Sequence, residues 1–409
     1  MVNLSSVAVI LGAASLALAH PGEKHDHAHV KREIQQRDHL AARSASSLAK
    51  CAGSIKARAL QERAVARRAA TAEKLRAQRG ISDRKPYHHR RDLAALQEFE
   101  VVNHNMTGAM TTSDPAVLFG ANTSCILTPE NTIGPYYVLG EYIRQDVTEG
   151  QAGMPVHLDM QFVDTNTCEP VEGLLIDIWA ANATGVYSGI DASSGQGGLN
   201  TTYLRGLQQS DAEGVVEFDT LFPGHYEGRA THEHVVAHVN ATALPNGTFA
   251  GGTVAHIGQI FFDESLRSAV ELTSPYNTND LPIVSNDDDM WAPTQADNNY
   301  DPFPEFMYLN SEDITDGLLM WISIGVDTTA NYSSSAVAAA YLAADGGHST
   351  GNSIGGGAPG EGSGSGGNGT IPSGFPSGVV PSDVSAATDV SARSYNEKKL
   401  YGGAARRGN

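Results

Sequence analysis

Between residues 156 and 326 the chain repeatedly alternates apolar and polar side chains with a period of two. Over 156–164, Val156, Leu158, Met160 and Phe162 fall on one side, and His157, Asp159 and Gln161 fall on the other. That spacing predicts a strand with one face buried and one face wet. Residues 174–180 place Leu174, Ile176 and Ile178 in phase and predict a second strand. Further strands are expected at 215–218, after the turn sequence Asp211-Ala-Glu-Gly214, and at 235–239, 257–262 and 318–326. Short strands separated by turn residues, with few helical patterns, predict an all-β fold, a β-sandwich. The exception is 41–79, rich in Ala, Leu, Arg and Glu, which predicts a helix. Its apolar residues are mostly alanine, so it is expected to bury little and to stand as a solvated arm.

Charge and composition divide the chain further. Residues 1–19 hold an apolar run ending Ala17-Leu18-Ala19, which reads as a secretory signal peptide. Residues 20–92 carry 18 Lys/Arg against 8 Asp/Glu, a balance of +10. With the whole chain at −19, the remainder from 93 onward sums to −29. This predicts a basic arm or pro-segment at 20–92, a linker at 93–121, an acidic folded body at 122–347 and a disordered Gly/Ser-rich tail at 348–409. The dibasic pairs Lys31-Arg32, Arg67-Arg68 and Arg90-Arg91 suggest processing of the arm. No later stretch is apolar enough for a transmembrane segment. Asn-x-Ser/Thr triplets begin at Asn105, Asn122, Asn182, Asn200, Asn240, Asn246, Asn331 and Asn368, as in a secreted, extracellular glycoprotein. In that compartment Cys125 and Cys168 are expected to form a disulfide, leaving Cys51 over in the arm. The histidine tract His20, His25, His27, His29 reads as a polar tail or a copper or zinc site. Nucleic-acid binding is not expected, because the basic arm lacks interleaved aromatic residues.

Candidate chemistry concentrates in one stretch, where Tyr226, Arg229, His232 and His234 lie within nine residues. On the expected strand, His232 and His234 point the same way and Glu233 the opposite way, which makes the two imidazoles a candidate metal pair. His238 shares their face and competes as a ligand. Taken alone, a His-x-His pair is more often a surface pair or a satisfied core pair than a metal site, and Tyr187 and Tyr226 are ordinary sheet aromatics by composition. The zinc-protease pattern His-Glu-x-x-His is absent, since Glu233 is followed at once by His234.

The ordered set of segments resembles one family. It runs Thr128-Pro-Glu-Asn-Thr-Ile-Gly-Pro-Tyr-Tyr-Val138, Cys168-Glu-Pro-Val171, Asp177-Ile-Trp-Ala-Ala-Asn-Ala-Thr-Gly-Val-Tyr187, Tyr203-Leu-Arg-Gly206 and Pro-Gly-x-Tyr-x-Gly-Arg-x-x-His-x-His, ending at His234. Together these segments are similar to the intradiol ring-cleavage dioxygenases (catechol and protocatechuate dioxygenases), most of all to their secreted fungal branch. The resemblance implies a mononuclear non-haem Fe(III) held by Tyr187, Tyr226, His232 and His234. It implies that Arg229 faces the aromatic substrate, and that Tyr136, Tyr137 and Gln259 border the pocket. The sequence departs from the bacterial enzymes in a short Tyr226-to-His232 gap, with Ala-Thr at 230–231, and shows no evident helical dimer domain.

The implied reaction joins O2 to a catechol-type ring and cleaves it between the two hydroxyl-bearing carbons, giving a muconate-type diacid. Phenolate oxygen is a hard anionic donor suited to the ferric state. Tyr226 is the tyrosine expected to leave the metal and accept a substrate proton, and Tyr187 the one expected to stay. Arg229 would stabilise negative charge on the ring. The competing reading is a catalytically inactive secreted β-sandwich glycoprotein that binds metal or phenols.

Overall fold

The computed structural model describes residues 55–81, 102–107, 132–295, 301–310 and 312–351. The expected signal peptide, the His20–His29 tract, Cys51, Cys125 and most of the Gly/Ser tail lie outside the described residues.

Two four-stranded sheets form the body. The first contains β2 (Pro155–Asp164), β5 (Val215–Leu221), β8 (Glu305–Tyr308) and β9 (Leu318–Val326) in the order β5-β2-β9-β8. The second contains β3 (Leu175–Trp179), β4 (Arg205–Gln209), β6 (His232–Ala243) and β7 (Phe249–Phe261) in the order β4-β3-β6-β7. Neighbours are antiparallel except β2 and β9, which run parallel. A small third sheet joins β1 (Val138–Leu139), β10 (Ala340–Ala343) and β11 (Gly346–Ser349). Strand β11 therefore carries the fold past residue 348, where the sequence predicts the tail to begin.

The expected phases hold. Leu158, Met160 and Phe162 of β2 meet Ile176 and Ile178 of β3, Val235 and Ala237 of β6 and Ile322 and Ile324 of β9 in one core between the sheets. Alternation sends the opposite set, Trp179, Asp177, His232, His234, Val236 and Gln259, to the outer face of the second sheet. The strands β1, β4, β8, β10 and β11 escape sequence reading because each is too short to show a period, and Arg-Gly-Leu-Gln-Gln of β4 also carries few apolar residues. Helix α2 (Glu264–Glu271) also lacks a long pattern, and it seats Leu266 and Val270 on the core.

The basic helix differs from expectation. Helix α1 (Ile55–Arg79) lies on the outer face of the first sheet rather than in solvent. Leu60, Ala64, Arg68, Ala72 and Leu75 form a buried stripe at three- and four-residue spacing. Ala72 and Leu75 pack on Met307, Leu309, Leu319 and Trp321. Arg67 makes a two-pronged pair with Asp159, donating from Nε at 2.8 Å and from Nη2 at 3.0 Å. Arg68 adds Nε to the same carboxylate at 3.4 Å and sets its guanidinium 5.8 Å from the Trp321 ring. Burial alone would raise the Asp159 carboxyl, yet Arg68 and Arg67 hold it below its ordinary range. Asp159 is thus buried beneath the helix, and His157 and Gln161, expected with it on a wet face, are buried as well. It also ties up the dibasic pair Arg67-Arg68.

No helix among the described residues is long and apolar enough to cross a membrane. Cys168 is disulfide-bonded, and both other cysteines of the chain lie outside the described residues.

Candidate metal centre

The register of the second sheet assembles the site. Arg205 of β4 stands opposite Trp179 of β3, Trp179 opposite His234 of β6, and His234 opposite Gln259 of β7. One transverse rung thus crosses all four strands, and His232 lies two residues from it on the same face. Trp179 lies flat on His234, with centroids 4.5 Å apart and planes 8° apart.

Two loops bring in the phenols. Tyr226 sits in a tight turn closed by a bridge between Tyr226 and Arg229. Tyr187 follows Gly185, whose φ of +81° and 2.4 Å approach of a notional Cβ to the His225 carbonyl exclude any side chain. That contact draws the Tyr187 loop against the Tyr226 turn and sets the two rings edge to face at 5.3 Å. Tyr187 is held from behind: its amide donates to Gln196 Oε1 at 2.7 Å, and its carbonyl accepts from Gly197 at 2.8 Å.

His232 Nε2 lies 3.2 Å from Tyr226 Oη and 3.2 Å from His234 Nε2. Its Nδ1 donates to the Ala230 carbonyl at 2.7 Å, which leaves Nε2 with its lone pair facing the group. Tyr187 stands 6.4 Å from His234 by ring centroid, and its hydroxyl is buried without a hydrogen bond of ordinary geometry. Burial raises the Tyr187 hydroxyl above the ordinary phenol range, partly offset by Tyr226, Arg229 and Arg205. Burial likewise raises Tyr226, helped by its neighbour Tyr187. Burial, then His232 and the two arginines, keep His234 neutral.

These features fit a small cation. Among the described residues no three His, Cys, Asp or Glu side chains gather around one point. A metal at the histidine pair would therefore take other donors, and the two phenols stand beside it. Donors about 2.0–2.1 Å from one metal, at roughly right angles, sit about 3 Å apart, close to the spacing found. Burial makes both phenols costly as phenolates even with Arg229 and Arg205 nearby, and a bound trivalent cation would offset that cost.

The other sequence-predicted residues fall in distinct places. Arg229 is fully buried, donating Nε to Asp289 Oδ2 at 2.8 Å and Nη2 to Gln259 Oε1 at 2.7 Å, with Nη1 left without a partner among the described residues. Burial opposes its charge, and Asp289 restores it. Gln259 bridges from Arg229 to the Thr132 carbonyl at 3.3 Å. Tyr136 borders both phenols, 4.6 Å from the Tyr187 ring and 6.3 Å from Tyr226. Tyr137 does not: it packs at 5.1 Å on Trp179, behind the histidine pair. Gly134 lets this segment approach, since a Cβ there would meet His234 Cε1 at 3.0 Å. His238 stands opposite Leu175, four residues along the strand from His234, or about 13 Å away. It faces Asp177 and Phe249, and burial lowers it to about 4. The competing ligand is thus set apart.

Sequence reading missed Asp289. Besides Arg229 its carboxylate accepts the amides of Ala230, Trp291 and Ala292 at 2.7 to 2.9 Å. Nothing local marks it within the run Asp287-Asp288-Asp289.

Comparison with known proteins gives the family. Residues 133–248 match a family model described as Dioxygenase, a span that contains all four candidate donors. An intradiol ring-cleavage dioxygenase from Tetranychus urticae is 30% identical, with the match covering 51% of this chain and 97% of that one, at a TM-score of 0.42. The chain belongs to the intradiol ring-cleavage dioxygenase family. Catechol 1,2-dioxygenase 1 of Acinetobacter lwoffii is 29% identical over 167 residues, 39% of this chain. The chain spans about half the length of that curated relative, 49%. The dioxygenase domain of a carbohydrate-binding fusion from Streptomyces sp. SirexAA-E is 22% identical, covering 49% of this chain and 98% of that one, at a TM-score of 0.31. The family match ends near the β6–β7 turn, so Gln259 and Asp289 lie beyond it.

Proposed function

We propose that this chain is a secreted, mononuclear ferric intradiol dioxygenase of the fungal branch, cleaving catechol-type rings with O2. The observation that carries the reading is the convergence on His232 Nε2: Tyr226 Oη and His234 Nε2 each stand 3.2 Å away, with Tyr187 closing the group. Tyr187, Tyr226, His232 and His234 are the proposed ligands. Ferric iron held there would supply the Lewis acidity that binds and activates the catechol. Tyr226 is the base. Its ring rides on a short turn, whereas the Tyr187 backbone is pinned by Gln196 and Gly197. Arg229 offers Nη1 to negative charge developing on the ring, its guanidinium fixed by Asp289 and Gln259. Tyr136 forms an aromatic wall, and the burial of the whole group excludes water. The apolar run within residues 1–19, the glycosylation triplets and the disulfide at Cys168 support secretion.

The test is optical and chemical. Iron-loaded protein should show a tyrosinate-to-iron band in the visible that changes when catechol is added, and should yield a muconate-type diacid. A colourless protein at full iron occupancy would remove the ligand set. Colour without ring cleavage would favour the inactive metal- or phenol-binding glycoprotein.

A further inference from the structure

The segment Tyr203-Leu-Arg-Gly206 has no part in the chemistry above, yet its arginine ends the rung that carries Trp179, His234 and Gln259. Arg205 is buried and reaches the back of the Tyr187 loop. Its Nε donates to both the carbonyl and the hydroxyl of Ser188, each at 3.0 Å. Ser188 is the residue after Tyr187, and its hydroxyl in turn donates to the Tyr203 carbonyl at 2.6 Å. The guanidinium carbon stands 5.9 Å from the Tyr187 ring centroid. On the far side Nη1 donates to Glu141 Oε1 at 3.1 Å, and Asp177 lies beside that carboxyl. Nη2 has no hydrogen-bond partner among the described residues.

We propose that Arg205 is a positioning residue for Tyr187, fixing its ring through Ser188 and placing a permanent positive charge against its π-face. This rests on the ferric-tyrosinate reading of the site. The planar fork holds three acceptors, Ser188 O, Ser188 Oγ and Glu141 Oε1, in one rigid arrangement that lysine cannot copy. A fixed cation beside a phenolate lowers the energy of its electrons. Moving charge from that phenolate to iron then takes more energy with Arg205 present. The same contact helps explain why one tyrosine stays while Tyr226, without this anchor, departs.

The experiment uses the full-length iron-loaded chain and compares wild type with Arg205→Gln, Arg205→Lys and Glu141→Gln. Arg205→Gln should move the visible band to longer wavelength and weaken iron retention about 10-fold or more, the range for partners that orient metal ligands. Arg205→Lys should keep the band near its wild-type position while losing iron retention, because charge remains and the fork does not. If the Arg205 variants do not fold, Glu141→Gln, which is isosteric, should show the same loss of iron retention in smaller measure. In a double-mutant cycle, Arg205→Lys should have little further effect on iron retention once Tyr187→Phe is present. A folded Arg205→Gln with an unchanged band and iron retention, or additive effects in the cycle, or a Glu141→Gln protein indistinguishable from wild type where the Arg205 variants do not fold, overturns the proposal. A wild-type protein with no tyrosinate band overturns the underlying reading instead.

Discussion

Asp289 and Arg229, sixty residues apart, form a buried two-pronged pair with Nε to Oδ2 at 2.8 Å and Nη2 to Oδ1 at 3.3 Å. Asp289 also accepts the amides of Trp291 and Ala292, which organise the carboxylate within the 289–292 turn, and the amide of Ala230 beside the arginine. Replacing Asp289 with Asn keeps shape but removes charge and one acceptor geometry. We expect kcat/KM for catechol to fall about 10- to 100-fold, with iron content retained, because the loss falls on the orientation of Arg229. Steady-state kinetics beside metal analysis checks this.

Tyr226→Phe separates holding from proton transfer. Three donors remain, so iron should stay bound above half occupancy while turnover drops by about 100-fold or more, within the range for a general base. His234→Ala should instead lose the metal, since it also removes the partner of Trp179. Iron stoichiometry and product formation, measured on the same samples, decide between the two outcomes.

Gly134→Ala should weaken iron binding without touching any donor. A Cβ there meets His234 Cε1 at 3.0 Å, and φ is +72°, a conformation that non-glycine residues adopt at a cost of about 1 kcal/mol. Metal release to a chelator should be faster than in wild type. An unchanged release rate would show that the segment yields freely.

Helix α1 should behave as part of the fold. Leu75→Ala removes a buried side chain from the cluster with Met307, Leu309, Leu319 and Trp321. A loss of about 2–3 kcal/mol in unfolding free energy is expected, with catechol turnover per folded molecule little changed. Equilibrium denaturation reads it, and a change below about 0.5 kcal/mol would return the helix to the status of a solvated arm.

His104 makes alkaline stability titratable. Burial favours the neutral ring, but hydrogen bonds to Asp263 at 3.4 Å and Asp301 at 2.6 Å overcome it and hold the pKa at about 10. A folded pKa raised above the unfolded value of about 6.5 stabilises fully below that pH, and the contribution is lost as pH rises through about 10. Unfolding free energy should therefore fall between roughly pH 6.5 and 10, by at most about 5 kcal/mol. In His104→Gln the slope over that window should flatten; an unaltered slope would assign it to other groups.

The strands that bury one face against the core were legible in the residues alone, because alternation over Val156 to Phe162 or Leu174 to Ile178 is a local property that any two-layer packing must respect. So was the same-face placement of His232 and His234, since a period of two leaves no choice. Ordered motifs also pointed to Tyr187, Tyr226 and Arg229. Long-range packing set Tyr136 against the phenols and its neighbour Tyr137 against Trp179, because adjacent residues diverge according to what covers the sheet. The same packing set His238 apart from the pair and laid α1 over Asp159, a pairing of residues about ninety positions apart. Asp289 and Arg205 belong to the same class: their roles come from strand register and long-range ion pairing, which join chain segments whose separation in sequence carries no periodic trace.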